Sequence, residues 1–176
     1  MKELPLSEVY QLLEPGPVVL LATAQDGRRN VMTMSWHMMV DFEPPLVACV
    51  VSDANHTAAA LAATGECVIA IPDVDLAATV VEVGNASGRT VDKFEAFGLT
   101  PAPAATVTPP LIAECFANLE CRVVDTTLAD RYGLLILEVT KAWRDPAKPH
   151  PRTIHHAGYG RFVVDGKVIQ LDSAKP

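Results

Sequence analysis

The most constraining feature of this sequence is a pair of apolar segments joined by a two-residue turn. The run VVLLATAQ (18–25) is continuous and contains β-branched residues, and in NVMTMSW (30–36) Val, Thr and Ser alternate with Met and Trp. Asp26-Gly27 lies between these segments, and Asp-Gly is typical of a tight β-hairpin turn. The sequence therefore predicts an antiparallel hairpin in this part of the chain.

Short strands dominate the rest of the sequence, with a few helices between them. Strands are predicted at 46–52, 66–72, 116–128 and 133–145, and Asp165-Gly166 predicts a short hairpin within 161–171. Helices are predicted at 7–13, at 57–64 with Gly65 as the stop, at 73–83 and briefly within 91–98. Strands and helices do not alternate regularly, so we expect a mainly β fold, a closed barrel with peripheral helices, in one domain spanning 1–176.

The composition argues against several classes of function. The net charge of −7 offers no basic face for nucleic acid or for an anionic membrane surface. No apolar run approaches the roughly 20 residues that cross a bilayer, and the N-terminal segment lacks the apolar stretch of a signal peptide. We therefore expect a cytoplasmic protein. The mean hydropathy of +0.22 points to an apolar ligand site or to surface buried in a partner.

The cysteines and histidines do not form a recognisable metal motif. Cys49, Cys67, Cys115 and Cys121 have no two-residue spacing, and we expect them to be reduced, buried and inert. His150, His155 and His156 lack a nearby carboxylate or thiol that would complete a ligand set, so no metal is expected.

Several segments carry groups suited to an anionic or aromatic ligand. Thr33 and Ser35 share one face of their predicted strand and precede Trp36, although these hydroxyls also fit a strand that faces solvent. His56 and Thr57 begin a helix, where free N–H groups attract an anion, although Asn55 or Thr57 also fits an ordinary cap.

The irregular stretch 84–110 contains SGRTVDKF (87–94), which supplies two cations and an aromatic ring. A long irregular stretch inside a domain is typical of a functional segment, although a solvated loop has the same composition. Downstream, His155 and His156 are candidates to reach a ligand or a substrate.

In their order and spacing, these segments resemble the flavin reductase-like family of FMN-binding split β-barrels, especially its flavoredoxin-like branch. The resemblance runs from about residue 15 to residue 164 and is carried by NVMTMSWHMMVDFEPPLVACVVS, the NHT helix start and SGRTVDKF. It implies FMN bound noncovalently at the interface of a homodimer.

The resemblance also implies a set of site residues. Met32, Thr33, Met34, Ser35 and Trp36 would line the flavin and its ribityl chain, and Cys49, Val50, Val51 and Ser52 would run beneath the ring edge. His56 and Thr57 would hold the phosphate, Ser87, Gly88, Lys93 and Phe94 would close over the site, and His155 or His156 would serve a nicotinamide.

Three functions remain open at this stage. The first is an NAD(P)H:flavin reductase, which passes hydride from NADH or NADPH to FMN and electrons to a small acceptor. The second is a flavoredoxin-like electron carrier without efficient nicotinamide use, which is favoured by the absence of the Gly-Asp-Arg-type turn of nicotinamide-using members. The third is a non-enzymatic split-barrel binding module.

Overall fold

The computed structural model describes residues 16–172, and the helix predicted at 7–13 lies outside the described residues. Within that range the strands are β1 (Val19–Gln25), β2 (Arg28–Met34), β3 (His37–Phe42), β4 (Pro45–Val50), β5 (Glu66–Ile71), β6 (Pro101–Ala102), β7 (Leu111–Ile112), β8 (Ala117–Asp125), β9 (Leu134–Arg144), β10 (Ile154–His156) and β11 (Phe162–Val164). The helices are α1 (His56–Thr64), α2 (Ala77–Asn85, after a 3₁₀ turn at Val74–Leu76), α3 (Lys93–Ala96) and α4 (Ala129–Tyr132). None of these helices combines the length and the apolar composition needed to cross a membrane.

Seven of the strands form one antiparallel sheet in the order β2-β1-β5-β8-β9-β4-β3. Six of them direct apolar side chains into a single buried cluster, which requires the sheet to curl around a common interior. The two edge strands, β2 and β3, are separated in the chain only by Ser35 and Trp36. The result is a barrel whose interior is filled by side chains, and Leu61 of α1 packs into this cluster.

A second buried cluster covers the outer face of β1, β2 and β5. Val80 and Val83 of α2, Phe94 of α3 and Ile154 of β10 pack there. The strand residues beneath them are Leu20, Ala22, Val31, Val68 and Ala70. Helices α2 and α3 and the β10–β11 hairpin therefore lie outside the barrel, and peripheral helices are as predicted.

Most predicted elements are confirmed. Asp26 and Gly27 both have positive φ, at 51° and 74°, and join β1 to β2 as a tight hairpin turn. Gly65, with φ at 64°, ends α1 by donating its N–H to the carbonyl of Leu61. All four cysteines are free and buried, as expected.

Two predictions need correction. The terminal hairpin does not turn at Asp165-Gly166, because β11 pairs with the upstream strand β10 and no strand follows it up to residue 172. The helix predicted at 73–83 begins as a 3₁₀ turn and continues as α2 to Asn85. Asp73 caps the 3₁₀ turn by accepting from the N–H of Asp75.

The fully buried carboxylate of Glu120 on β8 fixes the loop before β7. Its oxygens accept from the N–H groups of Ala105 and Thr106, from the Thr106 hydroxyl and from Nε1 of Trp143. Burial raises the pKa of Glu120, but these hydrogen bonds outweigh it and lower the pKa from 4.5 to about 2. The carboxylate is therefore charged throughout the physiological range.

Glu120→Gln is expected to lower the free energy of unfolding at pH 7 by about 1–3 kcal/mol, because an amide cannot accept all four hydrogen bonds without leaving a buried donor unpaired. The stabilisation from the charged form is present above the unfolded-state pKa and is lost as pH falls from about 4.5 to about 2. Urea titrations at several pH values, with the exposed Glu82→Gln as control, measure this. Equal losses for both variants would contradict the assignment.

Candidate functional site

The start of α1 is an open helix N-terminus. The N-cap residue, Asn55, makes no side-chain capping bond, and the first turn carries no acidic residue. The first N–H groups of a helix have no intrahelical acceptor, so this end attracts an anion. The functional interpretation of 55–57 is thus favoured over that of a self-capped helix.

The side chain of Asn30 on β2 is hydrogen-bonded to the first turn of α1. Its Nδ2 donates to the Thr57 hydroxyl at 3.0 Å, and both side chains are buried. Because Thr57 accepts this bond, its own proton remains available for another acceptor. Thr57 is 1% exposed, so it lies beneath the surface of the cluster while His56 is half-buried above it.

The other end of the Asn30 amide is unsatisfied. Oδ1 has no hydrogen-bond partner although it is buried, and a Cβ added to Gly88 would lie 2.0 Å from it and 3.0 Å from the His56 ring. Turning the amide over would exchange Oδ1 and Nδ2, but one end would still face Gly88 unpaired. A buried polar group left unpaired costs free energy, which a ligand's polar atom would recover.

A turn from the predicted irregular stretch completes the cluster. The Arg89 N–H donates to the Ser87 hydroxyl at 3.3 Å, and the Arg89 guanidinium donates to the Ala54 carbonyl at 3.4 Å. This contact places the 87–90 turn beside the turn that leads into α1. We call Asn30, His56, Thr57, Gly88 and Arg89 the polar cradle.

The predicted residues of β2 divide between the two faces of the sheet. Met32 and Met34 pack into the barrel interior, so they offer a ligand only their backbone groups. Thr33 faces outward and donates its hydroxyl to the Val80 carbonyl of α2 at 2.6 Å. Ser35 follows the strand, and the Trp36 side chain is 52% exposed.

The predicted segment 49–52 lies at the end of β4. Cys49 and Val51 point into the barrel, whereas Val50 is half-buried and Ser52 is exposed. Its backbone is held by the N–H of Val50, which donates to the Trp36 carbonyl at 3.0 Å. Trp36 and Ser52 are therefore the accessible side chains of these two segments.

Lys93 and Phe94 lie next to the cradle but are not part of its surface. Lys93 is buried, and its Nζ donates to the Val83 carbonyl of α2 at 2.8 Å. Burial lowers its pKa below the ordinary value. Phe94 packs in the outer core beneath the guanidinium of Arg29, whose carbon lies 5.1 Å from the ring centre.

The two predicted histidines lie on the β10–β11 hairpin. Nε2 of His155 lies 2.9 Å from an Asp165 oxygen and 3.0 Å from the Thr153 hydroxyl, which itself donates to Asp165 at 2.8 Å. These bonds, led by that of the Thr153 hydroxyl, lower the Asp165 pKa against the opposing effect of burial. The His156 ring packs against Phe162, with 5.4 Å between ring centres.

A groove of about 1170 Å³ runs along the other side of α1. Its walls include Trp36 and 50–53, one face of α1, and α4 with Tyr132. The groove therefore shares Trp36, Val50, Val51 and Ser52 with the sequence-predicted site, whereas the cradle residues do not line it. Among residues 16–172, no group of three or more His, Cys, Asp or Glu side chains is arranged to hold a metal.

Sequence reasoning did not single out Asn30. It lay within the quoted motif, but its importance comes from its side-chain contact with Thr57, 27 residues away, and from the approach of Gly88. The available signal was a polar residue on the strand face that also carries Met32 and Met34. Across the hairpin, Asn30 pairs with Thr23, which is also buried.

The chain is similar to known proteins in sequence and in fold. The family model described as "flavin reductase like domain" matches residues 12–162. The Escherichia coli (strain K12) protein YddH is 35% identical over 93% of this chain and 94% of its own length. A crystal structure of an FMN-binding domain of a flavin reductase-like enzyme from Shewanella baltica OS155 is 28% identical, covers 96% of both chains and has a TM-score of 0.82.

Flavoredoxin of Desulfovibrio vulgaris (Miyazaki F) has the same fold, with a TM-score of 0.86 over 99% of both chains at 23% identity. Together these likenesses confirm the predicted split β-barrel with its large antiparallel sheet.

Gly88→Ala is expected to lower the free energy of unfolding by about 1–3 kcal/mol, because its Cβ would collide with the Asn30 amide and displace that amide from Thr57. The matched control is Gly166→Ala, since a Cβ there meets nothing within 4 Å. Thermal or urea unfolding of both variants measures the difference. A Gly88→Ala protein as stable as the control would show that the close approach is absent in solution.

Proposed function

The chain belongs to the family of flavin reductase-like domains, and on this basis we propose that it is an FMN-binding oxidoreductase folded as one domain over 1–176. The observation that carries the proposal is the unpaired Asn30 amide beside Gly88 at the open start of α1. When bound, FMN would supply a ring that accepts a hydride and releases electrons. The residues of the chain bind and orient it.

The phosphate of FMN fits the polar cradle. The free N–H groups at the start of α1 and the unshared proton of Thr57 are donors, and the guanidinium of Arg89 adds positive charge. His56 lies against the same turn and can donate from its ring. With Nδ2 bound to Thr57, the free Oδ1 of Asn30 would accept a hydrogen bond from a ribityl hydroxyl.

The ring would extend from the cradle toward Trp36 and the end of β4. Trp36 offers an exposed aromatic face, and backbone groups of 32–35 and 49–52 would line the ring. Thr33 can still accept a hydrogen bond, although its proton is committed to Val80. The loop over the site would be formed in part by Ser87. The buried side chains of Lys93 and Phe94 would support this loop from beneath.

A homodimer is the proposed assembly. The edge strand β3 exposes four large apolar side chains: Met38, Met39, Val40 and Phe42. Phe42 is 88% exposed, and large apolar side chains exposed close together mark an interface. Because β3 follows Trp36 directly, a second copy on this strand would lie next to the proposed ring position. We also propose that the protein acts in the cytoplasm.

The proposed reaction transfers hydride from NADH or NADPH to bound FMN and electrons from there to a small acceptor. His155 and His156 are the proposed residues near the nicotinamide. A second candidate is an electron carrier that does not use nicotinamide efficiently. It is favoured by the contacts of His155, whose Nε2 is already engaged by Asp165 and Thr153.

Thr57→Ala is expected to weaken FMN binding ten- to a hundredfold, because it removes a donor to a charged group, worth about 1.5–3 kcal/mol. Riboflavin, which has the same ring but no phosphate, should bind parent and variant alike, and Thr57→Ser should restore FMN affinity. Quenching of flavin fluorescence measures each dissociation constant. Unchanged FMN affinity, or an equal loss for riboflavin, would contradict the placement of the phosphate.

Stopped-flow mixing of the FMN-loaded protein with NADH and with NADPH separates the two candidate reactions. For the reductase, the visible flavin band bleaches within the time of one turnover, and His155→Gln slows the bleaching. For the carrier, the band persists with both nucleotides yet is lost with dithionite. A protein that remains colourless after incubation with FMN and desalting would reject both candidates.

A further inference from the structure

We propose that the groove between α1 and α4 receives the C-terminal segment 166–172 of a second copy of this chain, so that each copy supplies one wall of the other's flavin site. The inference rests on the proposed homodimer and adds to it a specific contact. It joins two features of the same chain: an open groove and an exposed apolar segment.

The C-terminal segment 166–172 is irregular, apolar and exposed, which is typical of a segment that binds to another surface. Residues 166–172 form neither helix nor strand. Val168, Ile169 and Leu171 are 91%, 70% and 77% exposed. Exposure of three large apolar side chains to water is unfavourable, and burying them against another surface would lower the free energy.

The groove has an apolar part beside its polar groups. The groove is lined by Ala58, Ala59 and Ala62 of α1, together with Val123 and Leu135. Small side chains leave room for an extended peptide to lie along the helix. Four residues of extended chain span about 13 Å, close to the length of α1 at about 1.5 Å per residue over nine residues.

The charges at the rim of the groove match those of the segment. Asp53 lines the groove and would face Lys167, while Arg131 lines it and would face Asp172. Asp130 also lines the groove, and together with Asp53 it disfavours an anionic small molecule as the occupant. Complementary charges set the register of an extended segment more than they add affinity.

A second copy fits better than the chain's own segment. Asp165 is held by Thr153 on the β10–β11 hairpin, and Ile154 of this hairpin packs on the outer face of the barrel. No residue of 166–172 lines the groove of its own chain. The groove instead reaches Trp36, from which the proposed dimer strand β3 begins.

The exchange would couple dimerisation to cofactor binding. Trp36 and 50–52 line both the groove and the proposed ring position. A partner segment seated there would shield the edge of the ring from water. Loss of the segment is therefore expected to weaken the dimer and to weaken flavin binding in proportion.

The test uses engineered cysteine pairs in the full-length, FMN-loaded protein. Ile169→Cys with Ala62→Cys should form a disulfide between two chains under mild oxidation, because the two positions would meet in the groove. Ile169→Cys with Ala63→Cys is the matched control, since Ala63 is exposed on α1 but does not line the groove. We expect the first pair to crosslink about tenfold faster, given the strict geometry of disulfides.

Nonreducing electrophoresis and mass determination separate the outcomes. Equal rates for both pairs, a disulfide within one chain, or no disulfide would overturn the exchange. Light scattering of the unmodified protein separates this failure from that of the dimer. A dimer without selective crosslinking contradicts the exchange alone, whereas a monomer contradicts both proposals.

A second measurement needs no cysteine. Ile169→Ser with Leu171→Ser should raise the dimer dissociation constant at least about tenfold, because it removes two buried apolar side chains. Val163→Ser, also exposed and apolar but outside the segment, should leave the constant unchanged. An equal effect of both changes, or no effect of the first, would overturn the proposal.

Discussion

The contact of the Asn30 amide with Thr57 on one side and Gly88 on the other joins three segments that are distant in sequence. One belongs to a barrel strand, one to the start of α1 and one to an irregular turn. Only a residue without Cβ allows the turn to approach so closely. If the 87–90 turn moved away, the hydrogen bond from the Arg89 guanidinium to the Ala54 carbonyl would break, and the turn would no longer lie over the start of α1. The polar cradle therefore depends on this one packing contact.

The barrel supplies the rigidity that the contact needs. The β1–β2 hairpin is buried on both faces, since interior side chains fill the barrel and α2 with α3 covers the outside. The long irregular stretch that carries Gly88 is held at two places. Asp92 caps α3 by accepting from the N–H groups of Phe94 and Glu95, and Glu120 holds Ala105 and Thr106. A segment of loop composition is thereby ordered, although α3 and the two-residue strand β6 are its main regular elements.

The sequence predicted the parts of this protein that local chemistry determines. Asp26-Gly27 and Gly65 have few alternatives to a turn and a helix end, and the motif order indicated which segments meet at the site. It did not predict β3 as a separate strand, because Met38 and Phe42 are apolar yet exposed, and it did not reveal that β11 pairs with β10. Nor did it show that Lys93 and Phe94 point into the core. Those outcomes depend on which neighbours a side chain meets after folding, and no local pattern records them.

A crystal structure of the protein with bound FMN would show whether the polar cradle holds the phosphate. We expect the phosphate to lie at the start of α1, within hydrogen-bonding distance of the Thr57 hydroxyl and beside the Asn30 amide and Gly88, with the ring extending toward Trp36. A phosphate bound at any other place, with the Asn30 amide still unpaired against Gly88, would contradict this placement.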